Sequence, residues 1–260
     1  IERVEVLKGP QGTLFGRNTT VGAINITTQR PGDELEGKIL VDVGDYSYAR
    51  YGALISGPLT DTLAGKISIV DVERDGFLDN SFGGTVNTVD YTAGRGQLAW
   101  AATDQLDFLL TASYKETSGD GNNYVTRQQG EPIDKSYDVS IPDPGFEDVE
   151  DTMLSLHVSY DTENYTFTSI TGYQDLDESY VNDSDWSPLD DLTTVNTRAM
   201  ESWSQEFRIE SAGDNKLNWV AGVYYYHQDF DVYTQALSGP DTIFGFFGLT
   251  DFIGSGTLPS

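Results

Sequence analysis

The fold class this sequence predicts is all-β: a transmembrane antiparallel barrel, present in part. Three observations carry the prediction. Segment after segment alternates apolar and polar residues with the period of two that gives a strand one apolar face. The connections are sorted by length, with short turns after the second, fourth, sixth and eighth wall segments and longer ones after the third, fifth, seventh and ninth, as up-and-down outer-membrane barrels sort theirs. The link after the first, at Ser47, is the exception. Finally, the 260 residues are 38% hydrophobic, below the roughly 45–50% of globular domains, a figure that also counts glycine. They contain no apolar run long enough for a membrane helix.

The first stretch, Ile1 to Pro31, differs from the rest. Glu2 to Leu7 alternates charged and apolar residues, a strand pattern. Gly9, Pro10 and Gly12 then predict a tight reversal, because proline fixes φ and glycine admits φ > 0. A second break falls at Gly16, Arg17 and Asn18, and a second strand containing Gly22 runs from Val21 to Thr28 before Pro31 ends it.

Wall segments follow in order. Leu35 to Tyr46 sets Gly37, Ile39, Val41 and Val43 against Glu36, Lys38, Leu40 and Asp42, and Tyr48 to Leu59 sets Tyr51, Ala53 and Ile55 against Arg50, Gly52 and Ser56. A turn at Thr60–Thr62 leads to Leu63–Glu73, and a Gly/Asn/Asp-rich connection from Arg74 leads to Tyr91–Ala102. After Thr103–Gln105, Leu106–Glu116 is the most regular segment, with Leu106, Phe108, Leu110, Ala112 and Tyr114 on one face. Thr117 to Glu150 reads as an external loop, since so long a polar connection is otherwise hard to place in a domain. Asp151–Asp161 and Tyr165–Asp175 form the next pair, Leu176–Arg198 reads as a second external loop, and Ala199–Ser211 and Leu217–Phe230 form the last pair. Asp231 to Ser260 reads as the start of another loop. Terminal aromatics such as Tyr46, Tyr114, Tyr160 and Tyr225 suit interfacial girdles.

The run VEVLKGPQGTLFGRNTTVGAINITTQRP resembles the end of the plug domain of TonB-dependent outer-membrane receptors, almost without interruption. The resemblance implies a barrel of roughly 22 strands closed around a plug. Residues 1–31 would be the C-terminal part of the plug, and 32–260 the first, roughly nine-stranded part of the barrel. It also implies import of a scarce nutrient, commonly a ferric siderophore, across the bacterial outer membrane, with energy from the TonB–ExbB–ExbD complex contacting a segment ahead of Ile1. Cobalamin or oligosaccharide uptake, or a surface adhesin, are the alternatives. The start at Ile1 without initiator Met or export signal, and the stop at Ser260, lead us to expect an internal fragment. An open sheet leaves two unpaired edges and an apolar face, so these residues are expected not to fold stably alone.

Candidate functional residues follow from charge. Lys8 and Arg17 flank turns of the plug-like stretch. Trp203, Phe207 and Ile209 facing lipid would turn Glu206, Arg208 and Glu210 inward. A contact of Lys8 or Arg17 with Glu206 or Glu210, of the plug-to-barrel kind the family uses, is therefore expected. Asp183, Asp185, Asp190 and Asp191 crowd the second external loop. Such acidity disfavours a highly anionic cargo, and is open to reading as a site of Ca²⁺ bridges to lipopolysaccharide or as a solubilising surface. Enzyme chemistry has no foothold: there is no cysteine, His157 and His227 lie on separate strands, and no nucleophile or nucleotide motif occurs. No metal or cofactor is expected, and a net charge of −27 argues against nucleic acid.

Overall fold

The computed structural model describes residues 1–12, 19–120, 138–185, 187–213, 217–241 and 256–257. Two short strands, β1 (Arg3–Lys8) and β2 (Gly22–Thr27), form an antiparallel hairpin. Its alternation puts Val4 and Val6 beside Ile26 and Ile24 on one face, all of them exposed. Glu5 and Asn25 bond across the other face at 2.8 Å. Pairing runs on past Gly9 and Pro10, with Gly9 N–H donating to Val21 and Gln11 N–H to Thr19. Gly9 and Pro10 thus lie within the paired arms and are not the site of a reversal. Gly9 adopts φ +84°, and a Cβ at Gly22 would stand 2.5 Å from the Leu7 carbonyl. Glycine is needed at both positions, for different reasons.

The wall is a single meander of β3 (Glu36–Val43), β4 (Ala49–Pro58), β5 (Leu63–Arg74), β8 (Val89–Ala101), β9 (Leu106–Gly119), β11 (Phe146–Asp161), β12 (Tyr165–Asp183), β13 (Leu192–Ser211) and β14 (Val220–Ser238). The two-residue β15 (Gly256–Thr257) pairs with β14. Each strand pairs antiparallel with the next, and the sheet is open. The missing members of the count, β6 (Leu78–Asn80), β7 (Thr85–Val86) and β10 (Asp138–Val139), form a small separate sheet.

Register fixes the faces, because residues directly opposite share one side. Leu63, Trp100, Phe108, Val158, Ser169, Phe207 and Val223 form one continuous row, and Lys38, Leu54, Ser68, Arg95, Ser113, Met153, Gln174, Ser202 and Gln228 a row on the opposite face. The first face is apolar and largely exposed, as a lipid-facing wall requires. Aromatic pairs gather at its short-turn end, Trp100 stacked on Phe108 at 5.1 Å and Tyr165 beside Trp219 at 6.0 Å. At its other end Tyr173 meets Trp203 at 5.0 Å.

Several strands outrun their sequence-derived limits. β12 extends to Asp183 and β13 begins at Leu192, so Asp177 and Glu178 join Asp175 as strand residues and the second external loop shrinks to 184–191. Likewise β9 reaches Gly119, β11 starts at Phe146, and β14 runs on to Ser238. Backbone pairing needs no apolar side chain, so the ladder continues after the apolar alternation stops. The exceptional link after the first wall strand is a two-residue turn: Tyr46 and Ser47 both have positive φ and Tyr48 N–H bonds Asp45 at 3.2 Å. That is the hairpin geometry whose twist matches the strands.

Short turns share one construction. In Thr60-Asp61-Thr62, Thr103-Asp104-Gln105 and Thr162-Glu163-Asn164 the threonine hydroxyl accepts a backbone N–H from Leu63, Leu106 and Tyr165 at 3.1 Å. Successive turns are also coupled sideways. The carbonyls of Thr62, Gln105 and Asn164 accept from the N–H of Ala101, Asp161 and Ala212, at 2.9, 2.8 and 2.8 Å.

Candidate functional site

The inner face carries the charge pairs. Every lysine and arginine of the wall strands lies there: Lys38, Arg50, Lys66, Arg74, Arg95, Lys115, Arg198 and Arg208. On β13 the Arg208 guanidinium sits between Glu206 (2.5 Å) and Glu210 (3.4 Å). Two carboxylates and one guanidinium leave that trio one negative charge in excess. Higher on the same strand Arg198 pairs with Glu178 at 2.9 Å and lies over the Tyr180 ring. Lys8 has no ion pair among the described residues, and its carbonyl accepts from the Gln11 side chain. Gly16, Arg17 and Asn18 lie outside the described residues; Gly12 is the last residue described before that gap.

A contact between hairpin exit and wall does exist, at residues absent from the sequence-derived set. Arg30 Nη2 stands 2.5 Å from Asp107 Oδ1 on β9. Lys66 Nζ on β5 donates to the Gln29 carbonyl at 3.0 Å, Gly32 N–H donates to Ser56 Oγ on β4 at 3.3 Å, and Pro31 is buried between them. Lumen-facing placement of Asp107 followed from the alternation of β9. Its partner did not, since the two residues are 77 positions apart with no local pattern joining them.

Outward charge is of one sign. Beyond the Tyr173–Trp203 level the lipid-side face carries Asp71, Glu116, Glu150, Asp175, Asp177, Glu201, Asp229 and Asp231, with Glu116 opposite Glu150 and Glu201 opposite both Asp175 and Asp229. Directly opposed like charges destabilise a sheet unless something neutralises them. Girdle residues lean on this belt, Tyr114 donating to Glu116 and Tyr173 to Asp175.

The remaining acidic candidates close the 184–191 connection. Asp183, buried at the end of β12, caps Asp185 N–H, and Asp185 in turn accepts from Ser187, Asp191 and Leu192. Asp190 N–H donates to the Asp241 carboxylate, and Asp191 accepts from Gly239. Burial, then Asp241, Asp143, Asp185 and Asp191, raise the Asp190 pKa above the ordinary carboxylate value. Among the described residues no three acidic or histidine side chains are arranged to hold a metal ion.

Above β5 and β9 the wall supports a small hydrophobic cluster. Leu78, Val86, Val139 and Ile141 are buried there with Phe77 against them, drawn from two different connections. Asn80 joins the connections, donating to the Ile141 carbonyl at 2.8 Å and accepting its N–H at 3.1 Å. Asp120 caps the N–H groups of Asn87 and Thr88.

No protein-family model matches the chain. Individual proteins do. The pesticin receptor of Yersinia pestis is 28% identical over 233 residues, 86% of this chain and 33% of the relative. The probable TonB-dependent siderophore receptor PirA of Acinetobacter baumannii is 32% identical over 137 residues, 48% of this chain and 18% of the relative. In structure, the ferric yersiniabactin uptake receptor FyuA from Yersinia pestis superposes with a TM-score of 0.78 at 26% identity, over 91% of this chain and 37% of that one. The chain is similar in sequence and in fold to TonB-dependent receptors. It spans about a third of the length of the pesticin receptor it matches. It belongs to the bacterial outer membrane, which accounts for an apolar face turned outward and a polar face turned in.

Proposed function

We propose that the receptor containing this chain imports a ferric siderophore through the outer membrane by ligand binding and plug gating, without covalent chemistry. One observation carries the reading: the exit of a plug-like hairpin is fastened to the polar inner face of a sheet whose outer face is apolar. Residues 1–31 then belong to the plug and 32–260 to the barrel. Relatives bearing siderophore-receptor and uptake-receptor names support the cargo class, and the TonB dependence in PirA's name supports TonB–ExbB–ExbD as the energy source. Excess negative charge in the Glu206–Arg208–Glu210 trio leaves room for one more cation, which Arg17 or Lys8 of the plug would supply. Lipopolysaccharide is the proposed outer-leaflet partner, its phosphates and the outward carboxylate belt sharing divalent cations.

Cargo charge is not set by the acidic residues counted in the sequence. Asp175, Asp177 and Glu201 on β12 and β13 face outward, away from the path of a ligand; the inward Glu178, Glu206 and Glu210 are paired with Arg198 and Arg208, and the inner face holds all the strand cations, so an anionic chelate is not disfavoured.

The test is uptake of labelled ferric siderophores, cobalamin and oligosaccharides by iron-limited cells expressing the full-length parent, with and without TonB. TonB-dependent uptake of a ferric siderophore is expected. Uptake of another class would replace the cargo, and surface exposure without uptake would favour an adhesin. In the same assay an Arg17→Glu, Glu206→Arg double variant should transport better than either single variant if those two pair.

A further inference from the structure

Residues 29–32 follow a path of their own. The chain enters the sheet at its edge strand β3, yet the preceding residues run crosswise over the inner face and reach four strands further, to β9. Gly32 is held by Ser56 on β4, Gln29 by Lys66 on β5, and Arg30 by Asp107 on β9. Beneath them Ser56, Gln97 and Thr111 are buried, and Gln97 donates to the Thr111 hydroxyl at 3.3 Å, so the polar floor is satisfied. Proline suits the buried position between these anchors, having no N–H to leave unpaired.

A single half-exposed ion pair is weak. Here three anchors and a buried ring fix the same four residues, so the ordering cost is met once for all of them. The hairpin immediately upstream is a contrast. Among the described residues no hydrogen bond or ion pair of β1 or β2 reaches the wall, and Val4, Val6, Ile24 and Ile26 stand exposed.

We infer that Gln29–Gly32 is a latch that stays on the wall through the transport cycle, with Arg30 and Asp107 as its positioning residues, so that the boundary between moving plug and fixed barrel lies between Thr28 and Gln29. A pull from the periplasm displaces what precedes this boundary, and the latch keeps the strain from reaching β3. This rests on the gating reading above, but its geometry is testable apart from it.

The experiment uses the full-length receptor carrying Arg30→Cys and Asp107→Cys, in whole cells with a bifunctional thiol reagent just long enough to span one ion pair. Heat-modifiable gel migration first establishes that the variant assembles. Cross-linking in high yield, equal with and without TonB, and cargo uptake within about twofold of the unlinked variant are expected. Absence of cross-linking would overturn the latch, as would TonB-dependent loss of yield or uptake abolished by the link. A receptor without TonB-dependent uptake of any cargo would defeat the gating reading, while the cross-linking yield would still decide whether the latch exists. As a second variant, Arg30→Asp should raise entry of a bulky antibiotic several-fold and Asp107→Arg should reverse that rise; no change in either would also overturn the proposal.

Discussion

At one rim of the sheet three turns repeat a single construction, and at the other, among the described residues, no two connections are alike. The Thr60, Thr103 and Thr162 turns close with their own hydroxyls, within four residues of sequence. On the opposite rim Asn80 closes on Ile141 and Asp190 on Asp241, 61 and 51 positions away. Closure at the first rim is local and calls on no side chain from elsewhere in the chain. Closure at the second needs both connections present and correctly placed. The first arrangement suits a rim whose task is to join strands, and the second a rim that must present a particular surface.

The largest effect should come from the hydrophobic cluster. Ile141→Ala should cost about 2–5 kcal/mol of local stability, seen as faster hydrogen exchange at Leu78–Val86 in the assembled receptor with the short-turn amides unchanged. Loss of protection at both rims would mean that they are not independent. A smaller effect is expected at the threonines: Thr60→Ala, Thr103→Ala and Thr162→Ala should each cost about 0.5–1.5 kcal/mol. Combined, they should add, being distant from one another, and denaturant titration of the refolded receptor checks this. A single threonine variant as damaging as Ile141→Ala would break the comparison.

The smallest effect is a pH dependence confined to the variable rim. Because the Asp190 pKa is raised in the fold, the folded loop holds that proton more tightly than the unfolded chain does. Its contribution to stability is therefore greatest at low pH and falls as pH rises through the raised pKa. Amide protection at Asp190, Gly239 and Asp241 should increase on acidification from neutral pH, and Asp190→Asn should flatten the response.

This difference between rims also sets what could be read from sequence. Leu106 to Tyr114 announced its strand and its outward face because lipid imposes strict alternation there. The alternation ends where the outward residues become Asp175 and Asp177, and the ladder beyond them looked like a loop. Strands of two or three residues such as Thr85–Val86 and Leu78–Asn80 leave no periodic trace, and their partner lies in another connection. The plug-like stretch was legible as a motif. Arg30–Asp107 was not, since each residue is ordinary in its own surroundings and only the fold brings them together.

The sideways coupling of the short turns has a consequence for how such walls change in size. Thr62, Gln105 and Asn164 each offer one carbonyl to the hairpin that follows, and Ala101, Asp161 and Ala212 take it up through the main chain alone. A joint made only of backbone is indifferent to the side chains it receives. Copying or excising one strand pair would leave every remaining joint made, so circumference can change in steps of two strands without redesign of the rim. Pore width thus becomes a matter of gene duplication, while the opposite rim, built from pairings of named partners, would have to be rewritten each time.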